Sequence, residues 1–202
     1  MSAACPDGPP GSRAWPHSCL MLALLSAAAM ALVPAPERGT LGWQWGQALQ
    51  QPWSLWTAAL FDASKSQWCA NLALLMLLAV CGAGLGAQRR DALCLWLAWP
   101  LATQGLRWWP ELNGLVGLSG VTHAAGAILI VRALDRHRGV ALIALLALAL
   151  KLGIEHGWAT PRLFSPSWDS SVLYALHLSG ALTGLALALL VRGGWRRAAR
   201  SP

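Results

Sequence analysis

Charge is what this chain has least of. Only 11% of its 202 residues are Asp, Glu, Lys or Arg, while 56% are hydrophobic; a soluble domain carries about a quarter charged residues. The shortage is concentrated in long apolar runs, which argues against a soluble globule and for a membrane protein. Cysteine spacing of the metal-knuckle kind is missing as well. Cys5, Cys19, Cys69, Cys81 and Cys94 are scattered, four of them in or beside apolar runs, where cysteine acts as a small hydrophobe. A continuous basic surface is also absent despite a net charge of +7. The basic residues sit at the ends of the apolar runs, which suits orientation in a lipid bilayer and argues against a nucleic-acid partner.

What is present is a series of six apolar segments, which predicts an all-α membrane protein built as a six-transmembrane-helix bundle. Residues 1–14, rich in Pro, Gly and Ser, read as a disordered cytoplasmic leader. The first run, 17–34, reads either as a signal peptide that is removed or as a retained first helix. Residues 35–65 form a long loop whose Trp43, Trp45, Trp53 and Trp56 suit the membrane–water interface. Further spans are expected over 66–87, 92–107, 117–132, 139–158 and 170–191. The transmembrane domain thus covers 15–192, and 193–202 is a basic cytoplasmic tail.

Charge placement orients the bundle. With a cytoplasmic N-terminus, the inner segments hold Arg13, Arg89, Arg90, Arg132, Arg136, Arg138, Arg192, Arg196, Arg197 and Arg200. The outer loops hold only Arg38, Lys65, Arg107 and Arg162. That bias fits the positive-inside rule and puts both termini in the cytoplasm.

Ionisable or nucleophilic groups inside a membrane are costly, so each is a functional candidate. These are Asn71, Ser119, His123, Lys151, Glu155, His156 and His177. Counted from the nearest inner arginine, Ser119 lies about 20 Å and His177 about 22 Å above the inner face, with Asn71 at about 27 Å. A hydroxyl and an imidazole at one level can meet if their helices approach closely. Gly117 and Gly120 bracket Ser119, and Gly180 and Gly184 follow His177 in a small-xxx-small face, which permits that approach. Imidazole would then serve as general base toward the serine. Taken singly, each residue has a plain structural use: a serine bonding a backbone carbonyl, a histidine joining helices. Lys151 and Glu155, at i and i+4, are expected to pair inward. Adjacent Glu155 and His156 point in different directions, so no metal site and no cofactor is expected.

Gly117-Leu-Ser119-Gly120 opening one helix, with His177-Leu-Ser-Gly180-Ala-Leu-Thr-Gly184 on the last, resembles the rhomboid intramembrane serine proteases. Trp53-Ser-Leu-Trp-Thr57 and Gln67-Trp-Cys-Ala-Asn71 look like that family's W-R-x-x-T loop and H-x-x-x-N helix. The stretches Gly117–His123, Lys151–His156 and Tyr174–Gly184 are most similar to its rhombosortase branch, and the resemblance covers roughly residues 50–190.

The resemblance implies a rhomboid-like bundle in a bacterial inner membrane. Ser119 would be the nucleophile, His177 the base and Asn71 the oxyanion support. The implied substrates are membrane-anchored proteins carrying C-terminal Gly-Gly sorting signals. The family places an aromatic where His123 stands, so His123 is expected to stack on His177, a plain core contact being the alternative. Three departures stand out: Ser54 replaces the loop arginine, Ala58 and Asp62 replace histidines, and Gln67 replaces the second-helix histidine. Gln67 still carries a donor, giving an oxyanion hole of Gln67, Asn71 and the Ser119 N–H. Loss of one good donor costs about 2.7–4 kcal/mol in the barrier, which implies a slower enzyme. The rival readings are an inactive rhomboid-like protein that binds transmembrane segments and a small transporter. The latter is disfavoured because no paired half-helices or inverted repeat are visible.

Overall fold

The structure is a computed structural model that describes residues 12–198, with side chains through 193. Among these residues there are eight helices. Six are long: α1 (Ala14–Leu32), α4 (Lys65–Gly84), α5 (Arg89–Gln104), α6 (Ser119–Ala133), α7 (Arg138–Glu155) and α8 (Tyr174–Ala198). Two are short, α2 (Ala35–Leu41) and α3 (Ser54–Thr57). Three helices, α1, α4 and α8, are long and apolar enough to cross a membrane. At 1.5 Å per residue, α5 and α6 reach only about 24 and 22 Å, short of a hydrocarbon core of about 30 Å.

Helix α6 is the central element, with faces toward α4, α5, α7 and α8. Its small residues Ala124, Ala125 and Ala127 are buried together with Val121, Ile128 and Leu129. Across from it, α8 comes in at backbone distance. A Cβ on Gly180 would lie 2.8 Å from the carbonyl carbon of Gly120, and one on Gly184 would lie 2.8 Å from the Cα of Ala124. Helix α1 belongs to the same core. Trp15 is fully buried, its indole N–H donates to the Leu78 carbonyl at 2.9 Å, and its ring lies flush on Gly82. Helix α7 is peripheral, with Ala141 its one fully buried residue. It turns Val140, Ile143, Leu146, Leu150 and Ile154 outward.

Several boundaries differ from those expected, each for a local reason. The second long helix stops at Gly84 rather than 87 because Gly86 adopts a left-handed φ of +65°. The Ala87 N–H then closes back on the Gly82 carbonyl at 2.8 Å, a Schellman-type ending. The third starts at Arg89 rather than 92 because the Asp91 carboxylate accepts the Gln88 N–H at 2.7 Å. The last starts at Tyr174 rather than 170. Residues Ser170–Val172 instead form strand β4, antiparallel to β3 (Leu163–Ser165), with Phe164 opposite Ser171. Helix α8 runs to Ala198, so the expected tail begins as helix. The leader expected over 1–14 falls mostly outside the described residues, but Ser12 donates its N–H to the Ala87 carbonyl and Ala14 already opens α1.

The loop expected over 35–65 is structured. It holds α2, α3, a 3₁₀ turn at Ala58–Leu60, and strand β1 (Trp43–Gln44) paired antiparallel with β2 (Asn113–Leu115). Trp45, Trp53 and Trp56 are exposed, whereas Trp43 is 1% exposed and packs in a core with Ala58, Leu106 and Leu115. Trp43 is therefore a core residue of this cap rather than an interfacial anchor.

Candidate active site

Ser119 is the first residue of α6. The chain enters it held from both sides: the Gly117 N–H donates to the Ala58 carbonyl at 2.9 Å and the Leu118 N–H to Asp62 Oδ1 at 3.3 Å. The first-turn N–H groups of a helix have no intrahelical acceptor, so the Ser119 and Gly120 amides stand beside the serine as potential donors. Ser119 opens onto a cavity of about 310 Å³ that is also lined by Asn71, Gln67, Gly117, His123 and His177. Gly120, Gly180 and Gly184 lie behind it, where α6 meets α8.

His177 sits one turn into α8 and is 6% exposed. Its ring is fixed on two sides. His123, one turn after Ser119, stacks on it with centroids 4.1 Å apart and planes 14° from parallel. The His123 Nδ1 in turn bonds the Ser119 carbonyl oxygen at 2.7 Å. At the ring edge, His177 Nδ1 meets Glu155 Oε2 at 3.0 Å and Lys151 Nζ at 3.3 Å, and Lys151 also pairs with Glu155 Oε1. Among the described residues, no hydrogen bond joins the Ser119 hydroxyl to His177. Catalytic contacts are often long in the unliganded state and tighten on the substrate.

The donors expected at an oxyanion are differently engaged. Asn71 gives one amide N–H to Asp62 Oδ1 at 2.9 Å and keeps the other. Gln67 donates to the Ser171 carbonyl at 3.3 Å, and Ser66 to that of Trp168 at 3.2 Å. These bonds clamp the β3–β4 hairpin over the N-terminus of α4. Gln67 therefore lines the site and also serves as a tether for its roof. Asp62, in the turn before α4, is 5% exposed and its Oδ2 has no partner. Burial pushes its carboxyl up to about 7, against the opposing effect of the hydrogen bonds from Asn71 and the Leu118 N–H.

His123, Glu155 and His177 present possible metal-ligating atoms within 4.8 Å of one another. Their geometry does not suit a metal. Stacked, nearly parallel imidazoles send their lone pairs side by side rather than to one point, His123 Nδ1 is spent on a backbone carbonyl, and the Lys151 ammonium already holds the carboxylate. His156 takes no part: it is exposed and bonds the Ile154 carbonyl at 2.8 Å.

Sequence reasoning placed Glu155 only beside Lys151 and gave Asp62 no role beyond a departure from the family pattern. The signal for Glu155 was its spacing from Lys151. Nothing in the linear pattern set it opposite His177. Compared with known proteins, the chain matches no family model, and no curated protein matches it.

Proposed function

We propose that this protein is an intramembrane serine protease of the rhomboid type. One observation carries the proposal: Ser119 and His177, on different helices, line one cavity with Asn71, and the imidazole is held by partners on both face and edge. In this reading His177 removes the Ser119 proton as Oγ attacks the scissile carbonyl. The Ser119 N–H and the free N–H of Asn71 receive the negative charge on the carbonyl oxygen. His177 then gives its proton to the leaving amine, and water entering the cavity hydrolyses the acyl-enzyme with the same histidine as base.

The six long helices serve as six spans, α5 and α6 being completed by the irregular segments at their ends. The outward leucines and isoleucines of α7 then face lipid, and the arginine bias orients both termini to the cytoplasmic side; that the membrane is a bacterial inner membrane is what the rhomboid resemblance implies. The substrates proposed are membrane-anchored proteins, with C-terminal Gly-Gly sorting signals the class to try first. A second reading is favoured by the missing Ser119–His177 hydrogen bond: a catalytically silent relative that holds transmembrane segments. A fluorophosphonate probe on purified protein separates the two. Labelling that disappears in Ser119→Ala and His177→Ala supports the protease; no labelling of the wild type favours the binder.

A further inference from the structure

We propose that Glu155, braced by Lys151, is a positioning residue for His177, so that the site works as a serine–histidine–carboxylate relay rather than as a pair. This deepens the protease reading and rests on it. Two groups compete for His177 Nδ1. If the Lys151 ammonium donates to it, the ring proton must sit on Nε2 and the ring has no lone pair left for the serine. If Nδ1–H donates to Glu155, Nε2 is free to act as base. The carboxylate oxygen is the nearer, at 3.0 Å against 3.3 Å. A carboxylate favours the Nδ1–H tautomer and stabilises the imidazolium formed when the serine proton is taken. None of the hydrogen bonds of the described residues uses Nε2.

The backbone delivers Glu155 to this place. Glu155 is the last residue of α7, and the next, His156, takes a left-handed φ of 37°. Gly157 then packs against the backbone between Tyr174 and Ala175, where a Cβ would lie 2.9 Å from the Ala175 nitrogen. The end of α7 is thereby docked on the first turn of α8, immediately ahead of His177. A lysine–glutamate pair serving only to hold α7 would need neither this turn nor the contact with the imidazole.

The test uses full-length protein labelled with ¹⁵N-histidine, with His177 assigned by its loss in His177→Ala. The wild-type ring should carry its proton on Nδ1 and Glu155→Gln should move it to Nε2, while Glu155→Asp keeps it on Nδ1. In parallel, fluorophosphonate labelling should slow by about 10²–10⁴ in Glu155→Gln and recover in part in Glu155→Asp. A wild-type His177 protonated on Nε2, which needs no variant to observe, overturns the relay. So does equal labelling of wild type and Glu155→Gln. Failure of the wild type to label at all removes instead the protease reading on which the relay stands.

Discussion

Replacing Gly180 by alanine is the sharpest perturbation of the helix pair that carries the site. The added Cβ would meet backbone, not a side chain that can rotate away: the C and Cα of Gly120 would be 2.8 and 2.9 Å from it, with the carbonyl oxygen closer still. Helices α6 and α8 would have to part by about 1 Å to restore ordinary van der Waals separation. Overpacking of this kind costs about 1–3 kcal/mol in stability. Its effect on function should be larger, because the parted helices are those bearing Ser119 and His177, and a misplacement of about 1 Å costs on the order of 10²-fold in rate. The assay is the second-order rate of fluorophosphonate labelling, read beside thermal unfolding in the same detergent. Gly126→Ala and Gly153→Ala are the controls, since a Cβ at either meets nothing within 4 Å. Gly180→Ala should label about 10²-fold more slowly with only a modest loss of stability, and the controls should match the wild type. Wild-type labelling by a folded Gly180→Ala would refute the idea that this contact sets the distance between Ser119 and His177.

Two further outcomes are expected. The Asp62 carboxyl is raised to about 7 by burial, above its unfolded value of about 3.9, so the native state holds the proton more tightly. Its contribution to stability is full below about pH 4 and is lost as pH rises through about 7. Asp62→Asn should flatten that part of a plot of Tm against pH, and parallel curves for variant and wild type would contradict the assignment. Trp15→Ala empties a fully buried site and removes the indole N–H bond to the Leu78 carbonyl. It should lower stability by about 3–5 kcal/mol in a denaturant titration, and an effect below about 1 kcal/mol would show that α1 is not part of the cooperative core.

The long helices were legible because apolar runs bounded by arginine are a one-dimensional signal, and counting depth along the helices placed Ser119 and His177 at one level, where both line one cavity. The stack of His123 on His177 was expected from the resemblance to the rhomboid family, which places an aromatic at that position. What could not be read are the features set by single backbone angles or by pairing at a distance. The left-handed turn at His156 aims Glu155 at the imidazole, but histidine is not a residue that announces such a turn. Strand β4 occupies residues expected to be helical because β3 supplies its hydrogen-bond partners. Trp43 was read as interfacial from its type alone, yet the pairing of β1 with β2 turns it into a core. Gln67 matched the family's donor by spacing, but the Ser171 carbonyl that claims its amide comes from a hairpin about a hundred residues away.

Several costly features of the bundle lie around the start of α6. In the first turn of the central helix the Val121 and Thr122 amides donate to the Leu118 carbonyl, which leaves the Ser119 and Gly120 amides toward the site. Beside it lie an aspartate with an unpaired buried oxygen, a lysine–glutamate pair, two stacked histidines and a non-glycine residue at positive φ. These have local costs: a buried polar group needs a partner, and left-handed backbone at a residue with a Cβ costs about 1–2 kcal/mol. Away from this region, the long helices pack mainly through apolar side chains such as Trp15, Leu22, Leu75, Leu95 and Ile128, and a buried Arg132–Asp91 pair stands at the opposite end of α6. Selection for stability alone would scatter or remove such features, and a lipid-facing scaffold has no use for them. Their grouping around the Ser119 cavity is what the proposed protease reading would need, since that reading asks one place to hold a base, admit water and receive a negative charge.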